Sequence, residues 1–508
     1  MLRTDLIAPL ATLLARHATA RPKAVAFEDR TRALTYAELA DSTARIAVWL
    51  AAAGVQEGDR VAIHQPNSVD WVELALAINR AGGVAVPISF AATPGEIAYR
   101  LEDANCVLAF TRAETADSLR SLCATRGIAA AVSAFANGEG EAARGGDPSA
   151  APRDPDDIMQ PAFIVYTSGT TGRAKGVVLS VHGLLWVTAA CWAPIVGMNE
   201  NDVVLNALPL FHSYALSFAV ITIVATGARE YTMENFSNSQ MIELLAERSF
   251  TVLPGVPTVF HYLLDKAKNE GRQSLGGIRL CLSAGAIMPG PLNQDFESWF
   301  GVKLLDGYGI TETSTMVTMN WPAGGRKMGS CGIPVPGLTV RVVDHEDRDV
   351  AAGVEGELIV RGPNVMLGYH GNPEATASAL KDGWYRTGDL ATFDRDGFLT
   401  ITGRLKEVII RGGQNISPAE VEEAVNAFPA VLDCAVVGVK HSFLGEVPAA
   451  FVIPRPDQEI DVAALTAHCR EKLSSHKVPQ HFYVVDAIPR TGSGKVQRFK
   501  LREQAEVG

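Results

Sequence analysis

The sequence predicts an α/β protein of more than one domain. Three observations carry this. Apolar, β-branched runs alternate with helix-period stretches over most of the chain, as in "RVAIHQ", "SVDWVELALAINRAG" and "GVAVPIS" between residues 60 and 89, the signature of βαβ units and a parallel sheet covered on both faces. The 508 residues exceed what a single hydrophobic core accommodates. From about residue 338 the alternation gives way to short strands, and beyond "GRLKEVIIRGG" to a small α+β pattern.

The N-terminal "LIAPLATLLARHATA" has the length of a signal-peptide core, but Leu10, Leu13, Leu14 and His17 follow helical spacing and only Arg3 precedes the run, so a helix is expected. The segment 136–157, "ANGEGEAARGGDPSAAPRDPDD", is rich in Gly, Ala, Pro and charge and is expected to be a mobile surface linker. "FIVY" then reads as a buried strand. Further on, "LTVRVVD", "GELIVRG" and "LATFDRDGFLTITG", with Asp396-Gly397 as a hairpin turn, suggest a compact β subdomain at about 338–403. A helix opened by Ser417-Pro418, strands "CAVVGV" and "AAFVIP", and a helix at 461–473 complete the small C-terminal unit. The break near 404–407 divides the chain into expected domains 1–404 and 405–508.

A net charge of -11 argues against nucleic acid, whose backbone calls for a basic face. Seven scattered cysteines, with no pair at metal-binding spacing, point to a reducing compartment and a cytoplasmic location. No stretch approaches the roughly 18 apolar residues of a membrane span.

Five segments carry candidate chemistry. "YTSGTTGRAKGV" (166–177) offers glycines that let the backbone approach an anion and hydroxyls that donate to it. It is not a P-loop, because Ala174 and Val177 stand where the second Gly of that pattern belongs. "DGYGITET" (306–313) sets a Tyr between glycines to stack on a purine, then a Thr for phosphate and a Glu for Mg²⁺. "YRTGDL" (385–390) presents Asp389 after a Gly turn, suited to ribose hydroxyls or to a structural cap. "GRLKEVIIRGGQN" supplies Arg404 for ribose or phosphate, and "PRTGSGK" (489–495) puts Lys495 on a flexible loop. Singly, each also suits a plain turn, edge strand or basic tail.

In this order and spacing the five segments resemble the adenylate-forming superfamily of acyl-CoA synthetases, adenylation domains and luciferases, from "LTYAEL" (34–39) to "GKVQR" (494–498). The resemblance implies a large N-terminal domain of two layered α/β subdomains plus a small β-barrel, hinged to a small mobile α+β C-terminal domain. It implies that Thr167, Ser168, Gly169, Thr170, Thr171, Gly172 and Lys175 hold the β- and γ-phosphates of ATP. Gly285, Ala286, Asp306, Gly307 and Tyr308 would form the adenine slot. Thr311 would contact the α-phosphate and Glu312 would ligate Mg²⁺. Asp389 and Arg404 would hold the ribose, Lys406 would be the hinge, and Lys495 the adenylation lysine.

The implied reaction is ATP-dependent. A carboxylate attacks the α-phosphate to give an acyl-adenylate and pyrophosphate, and a thiol then displaces AMP. Prepositioned cationic and hydroxyl groups stabilise the charge on phosphoryl oxygens in the first step. Gly412 and Gly413 resemble the loop lining the pantetheine tunnel of the second.

"LPLFHSYAL" (208–216) bears on the acid. Amino-acid-activating relatives have Asp where this chain has His212, which resembles the histidine near the reacting carboxylate. Gly307 replaces the Arg of diacid-using relatives, and no Trp shortens the pocket before Thr311. With Tyr214, Phe218, Gly309 and Met316 facing the acyl group, a roomy apolar pocket is expected. It suits a hydrophobic monocarboxylic acid of medium or long chain, branched or ring-bearing. A hydroxycinnamate-like aryl acid is the alternative. Coenzyme A is the expected acceptor, with the pantetheine of an acyl carrier protein as its alternative. An inactive nucleotide-binding scaffold is the remote one.

Overall fold

The computed structural model describes residues 2–147, 149–167, 174–490 and 496–507. It divides into two compact units, one of residues 1–169, 174–340 and 360–385, the other of 341–359 with 386–508. Segments of the expected β subdomain thus group with the C-terminal residues by packing. The proposed boundary at 404/405 concerns motion, a separate matter from packing density.

The first unit contains two large sheets. One has eight strands, with Arg60–His64, Val84–Ile88, Leu108–Thr111, Ala131–Ala136 and Pro161–Thr167 parallel at its centre. Lys175–Ser180 and then Gly368–Tyr369 add antiparallel at one edge. The other has nine strands, with Lys303–Ile310, Leu280–Ser283, Val252–Gly255, Val203–Asn206, Arg229–Thr232 and Val25–Glu28 parallel through its middle. Strands buried on both faces account for continuous apolar runs such as Val84–Ile88. The N-terminal helix forms as its spacing predicts, Leu10–Ala20, burying Leu10, Leu13 and Leu14.

The segment 136–157 differs from the expected linker. Asp70 accepts from the backbone N–H of Asn137 and Gly138 at 2.6 and 2.8 Å. Arg153 donates to the carbonyls of Val55 and Ala81, and Asp154 pairs with Arg80 at 2.7 Å. Its charged residues and glycines are fastening points along the first unit, so composition alone misread them as solvated.

Trp384–Phe393 and Leu399–Arg404 form the hairpin expected at Asp396-Gly397. A five-stranded sheet carries Gln414–Ile416, Ile409–Arg411, Gly445–Pro454, Val431–His441 and His481–Val484. Helices Pro418–Asn426, Val462–Lys472 and Arg498–Val507 accompany it.

Candidate active site

Thr167 and Lys175 are cross-strand partners at the mouth of the glycine-rich loop. Ser168, Gly169, Thr170, Thr171 and Gly172 lie outside the described residues. The base of the loop is held from helix Pro94–Asp103. Tyr99 donates its hydroxyl to the Ala174 carbonyl at 2.7 Å, and Tyr166 donates to Asp103 Oδ2 at 2.6 Å. Lys175 Nζ sits 4.8 Å from the ring centre of Tyr369, a cation–π distance. Tyr369 Oη donates to Glu312 Oε1 at 3.0 Å.

Gly285 (φ +87°) turns the chain at the end of Leu280–Ser283, and Ala286 beside it is exposed. Ser283 is in register with Asp306 on the adjacent strand. Asp306 is buried, and burial raises its carboxyl well above the usual carboxylate range. Gly307, Tyr308 and Gly309 lie on strand Lys303–Ile310. A Cβ on Gly307 would come within 2.4 Å of Met316 Cε, and one on Gly309 within 1.5 Å of the Thr315 carbonyl oxygen. These glycines let two antiparallel strands close up around Tyr308, an origin for the Gly-Tyr-Gly pattern that stacking alone did not require.

Thr311 is buried, and its Oγ1 is 3.0 Å from Ser213 Oγ. His212, next in the chain, caps the turn Ser213–Ala215 and accepts the Tyr214 N–H on Nδ1 at 3.3 Å. The fold thus joins two segments 98 residues apart: the Thr-Glu turn assigned to phosphate and the His-Ser turn assigned to the acid. Beyond Glu312 the backbone is strained, with φ +49° at Ser314 and +105° at the β-branched Thr315. Asn364, fully buried, clasps this turn by donating to the carbonyls of Thr313 and Met316 at 2.8 and 3.0 Å.

The residues assigned to the acyl group lie on and beside the helical segment that follows His212. Tyr214, Phe218 and Met316 are all buried in the main core. Trp192 stacks on Tyr214 (6.1 Å, 22°), meets Phe218 edge-on (4.9 Å, 72°) and donates to Ser217 Oγ at 3.1 Å. Trp192 ends one π-helical segment, Thr188–Trp192, and Phe218 lies in another, Leu216–Ile221; the Thr188 hydroxyl meets that of Thr222, just past the second, at 2.8 Å. Such π segments are rare and concentrate at functional sites. Trp192 was missed because it precedes the histidine motif by twenty residues on a helix that reads as plain core.

In the second unit, Asp389 and Arg404 are cross-strand partners, with Arg404 Nε 2.7 Å from Asp389 Oδ1. The Asp389 backbone N–H donates to Thr387 Oγ1 at 3.0 Å. Lys406 is exposed between Leu399–Arg404 and Ile409–Arg411. Gly412 (φ +57°) and Gly413 (φ +83°) form the two-residue turn joining Ile409–Arg411 to Gln414–Ile416, where two positive φ angles are required. Lys495 lies outside the described residues; just beyond it, Val496 bridges Arg490, and Arg498 ion-pairs with Glu422 and Glu407.

Residues 14–370 match the AMP-binding enzyme family, and residues 420–495 match the AMP-binding enzyme C-terminal domain. The chain belongs to the AMP-binding enzyme family. This AMP-binding enzyme is 35% identical over 492 residues to a feruloyl-CoA synthase of an Amycolatopsis species, covering 96% of this chain and 97% of the relative. Among solved structures it is similar to ATP-bound MatB from Rhodopseudomonas palustris, with TM-score 0.90, 33% identity and coverage of 98% and 99%. It is also similar to the o-succinylbenzoate CoA synthetase MenE from Bacillus subtilis in complex with the acyl-adenylate intermediate OSB-AMP, with TM-score 0.84, 28% identity and coverage of 96% and 97%. The two-part α/β architecture agrees with these structures. No helix among the described residues of this AMP-binding enzyme is long and apolar enough to cross a membrane.

Proposed function

We propose that this AMP-binding enzyme is an ATP-dependent acid–thiol ligase that activates a hydrophobic monocarboxylic acid as its acyl-adenylate and transfers the acyl group to coenzyme A. The observation that carries this is the contact of Thr311 with Ser213. It supports a meeting of carboxylate and α-phosphate here, because Thr311, read as the phosphate contact, lies beside the turn that bears His212, read as the acid's.

In the first step a carboxylate oxygen attacks the α-phosphorus and the bond to the β-phosphate oxygen breaks, releasing pyrophosphate. His212 orients the carboxylate and Thr311 donates to the α-phosphate. Lys175 holds the departing pyrophosphate, and Lys495 neutralises charge in the transition state. The single carboxylate of Glu312 suits Mg²⁺, which binds through one or two carboxylates plus nucleotide phosphates and supplies charge neutralisation when bound. Asp389 accepts from the ribose hydroxyls, oriented by Arg404. In the second step the coenzyme A thiol attacks the acyl carbon and AMP leaves, with Lys406 as hinge and Gly412 and Gly413 beside the pantetheine.

Within that class the feruloyl-CoA synthase likeness supports an aryl substrate. The seven cysteines, all buried and none in a disulfide, support a cytoplasmic setting. The test is thioester formation followed by mass spectrometry over aliphatic, aryl and polycyclic acids. An acyl-CoA from one of them is expected. Acid-dependent AMP formation that needs a carrier protein in place of coenzyme A would overturn the acceptor, and ATP binding without turnover of any acid would favour the scaffold.

A further inference from the structure

Tyr369 touches both Lys175 and Glu312, and neither composition nor spacing marked it. Its position follows from backbone pairing. The short strand Gly368–Tyr369 lies antiparallel to Lys175–Ser180, with Tyr369 opposite Val177. His370 N–H donates to the Gly176 carbonyl at 2.7 Å, and Met366 N–H donates to the Glu312 carbonyl at 2.8 Å. Thr376 Oγ1 accepts the Tyr369 N–H at 2.9 Å. Residues 366–370 therefore stitch the exit of the phosphate loop to the turn that bears Glu312.

The side chain completes the link. Its ring face carries the Lys175 ammonium at 4.8 Å, and its hydroxyl donates to Glu312 Oε1 at 3.0 Å. The buried Tyr385 lies close enough to the Tyr369 hydroxyl for the two phenols to perturb each other's ionisation. Donation to one carboxylate oxygen fixes the plane of Glu312 and leaves Oε2 for a cation. The ring holds the lysine by a contact that occupies none of its three N–H donors, all of which stay available to phosphate.

We propose that Tyr369 is a positioning residue that sets Glu312 for Mg²⁺ through its hydroxyl and Lys175 for the terminal phosphates through its ring. This rests on the ATP-site reading above. The two halves separate by substitution. Tyr369→Phe keeps the ring and loses the hydroxyl; Tyr369→Leu loses both.

The experiment measures ATP binding by calorimetry across a Mg²⁺ series, together with the Mg²⁺ and ATP dependence of acid-dependent pyrophosphate release. For Tyr369→Phe, the Mg²⁺ concentration giving half-maximal ATP binding rises several-fold, while ATP affinity at saturating Mg²⁺ stays within twofold of the parent. For Tyr369→Leu both weaken, with ATP affinity at saturating Mg²⁺ falling about tenfold. Tyr385→Phe shifts the Mg²⁺ dependence in the same direction by less, which keeps the test decisive if the leucine variant does not fold. A phenylalanine variant with the parent's Mg²⁺ dependence, or Phe and Leu variants losing kcat equally at unchanged affinities, would overturn the proposal while leaving the ATP site standing. Absence of Mg²⁺-dependent ATP binding in the parent would overturn the ATP-site reading itself.

Discussion

Arg404 Nε lies 2.7 Å from Asp389 Oδ1, and the two residues face each other across one hairpin. The Asp389 side chain is only 3% exposed while that of Arg404 is 40% exposed. The guanidinium therefore works from the solvent side, orienting the carboxylate. Arg404→Ala removes one ion pair from that buried carboxylate, a change that costs several kcal/mol in a fully buried pair and less here because Arg404 is solvated. The expected result is a KM for ATP raised about tenfold with a modest loss of thermal stability, measured by steady-state kinetics and thermal unfolding. Arg404→Lys recovers part of the stability and little of the KM, since a lysine cannot reproduce the planar donor fork.

Thr311→Ala removes the hydroxyl that meets Ser213 and, in the proposed reaction, the α-phosphate. Adenylation is expected to fall about a hundredfold, the size typical of losing one oxyanion donor, with Thr311→Ser retaining most of the rate. Single-turnover pyrophosphate release measures this. Equal loss in both variants would assign Thr311 to packing.

Gly309→Ala places a methyl 1.5 Å from the Thr315 carbonyl oxygen, where backbone must move. The strand pair around Tyr308 opens, the strained Ser314-Thr315 turn loses its register, and stability falls by about 3 kcal/mol or more. Chemical denaturation checks the loss. Gly285→Ala meets no close atom, the nearest being Val256 Cγ1 at 3.7 Å, but forces φ +87° on an L-residue, so its cost is conformational and smaller.

Glu230 is fully buried, the Thr232 hydroxyl donates to its Oε1 and its Oε2 has no partner. Burial pushes its carboxyl up to about 8. The folded state therefore holds a proton that the unfolded chain releases above about 4.5, so this group's stabilisation is complete below pH 4.5 and is lost as pH rises to about 8. Glu230→Gln keeps the shape without the proton. Its unfolding free energy is expected to be flatter than the parent's between pH 5 and 8, by a few kcal/mol over that range. Identical pH profiles would contradict the assignment.

Lys495→Ala is expected to suppress acyl-adenylate formation while leaving thioesterification of a supplied acyl-adenylate largely intact. Lys406→Pro, at the proposed hinge, is expected to do the reverse. Assays of the two half-reactions measure both, and equal loss of both half-reactions in either variant would dissolve the division of labour.

What the sequence made legible was whatever is local in chain order. The strand before the loop, the helix from Leu10, the hairpin at Asp396-Gly397 and the glycine turn at 412–413 each follow from a few adjacent residues. The motif residues were legible as a set through family resemblance, while their contacts were not. Thr311 meets Ser213 and Glu312 meets Tyr369 across 98 and 57 residues, and no periodicity reports such pairs. Asn364 and Tyr369 escaped notice because their work is to hold backbone and side chains that carry the chemistry, which leaves no distinctive spacing. The linker at 136–157 was misread for the opposite reason. Its composition is that of solvated chain, yet Arg153 and Asp154 find backbone and ionic partners in the folded unit.

The central claim is that a carboxylic acid is activated on this protein as its adenylate. Exchange of labelled pyrophosphate into ATP, measured without coenzyme A over aliphatic, aryl and polycyclic acids, tests it most directly. The prediction is exchange that depends on Mg²⁺ and on one class of hydrophobic monocarboxylic acid, and that Lys495→Ala abolishes. Protein that binds ATP yet supports no acid-dependent exchange with any member of the panel would contradict it.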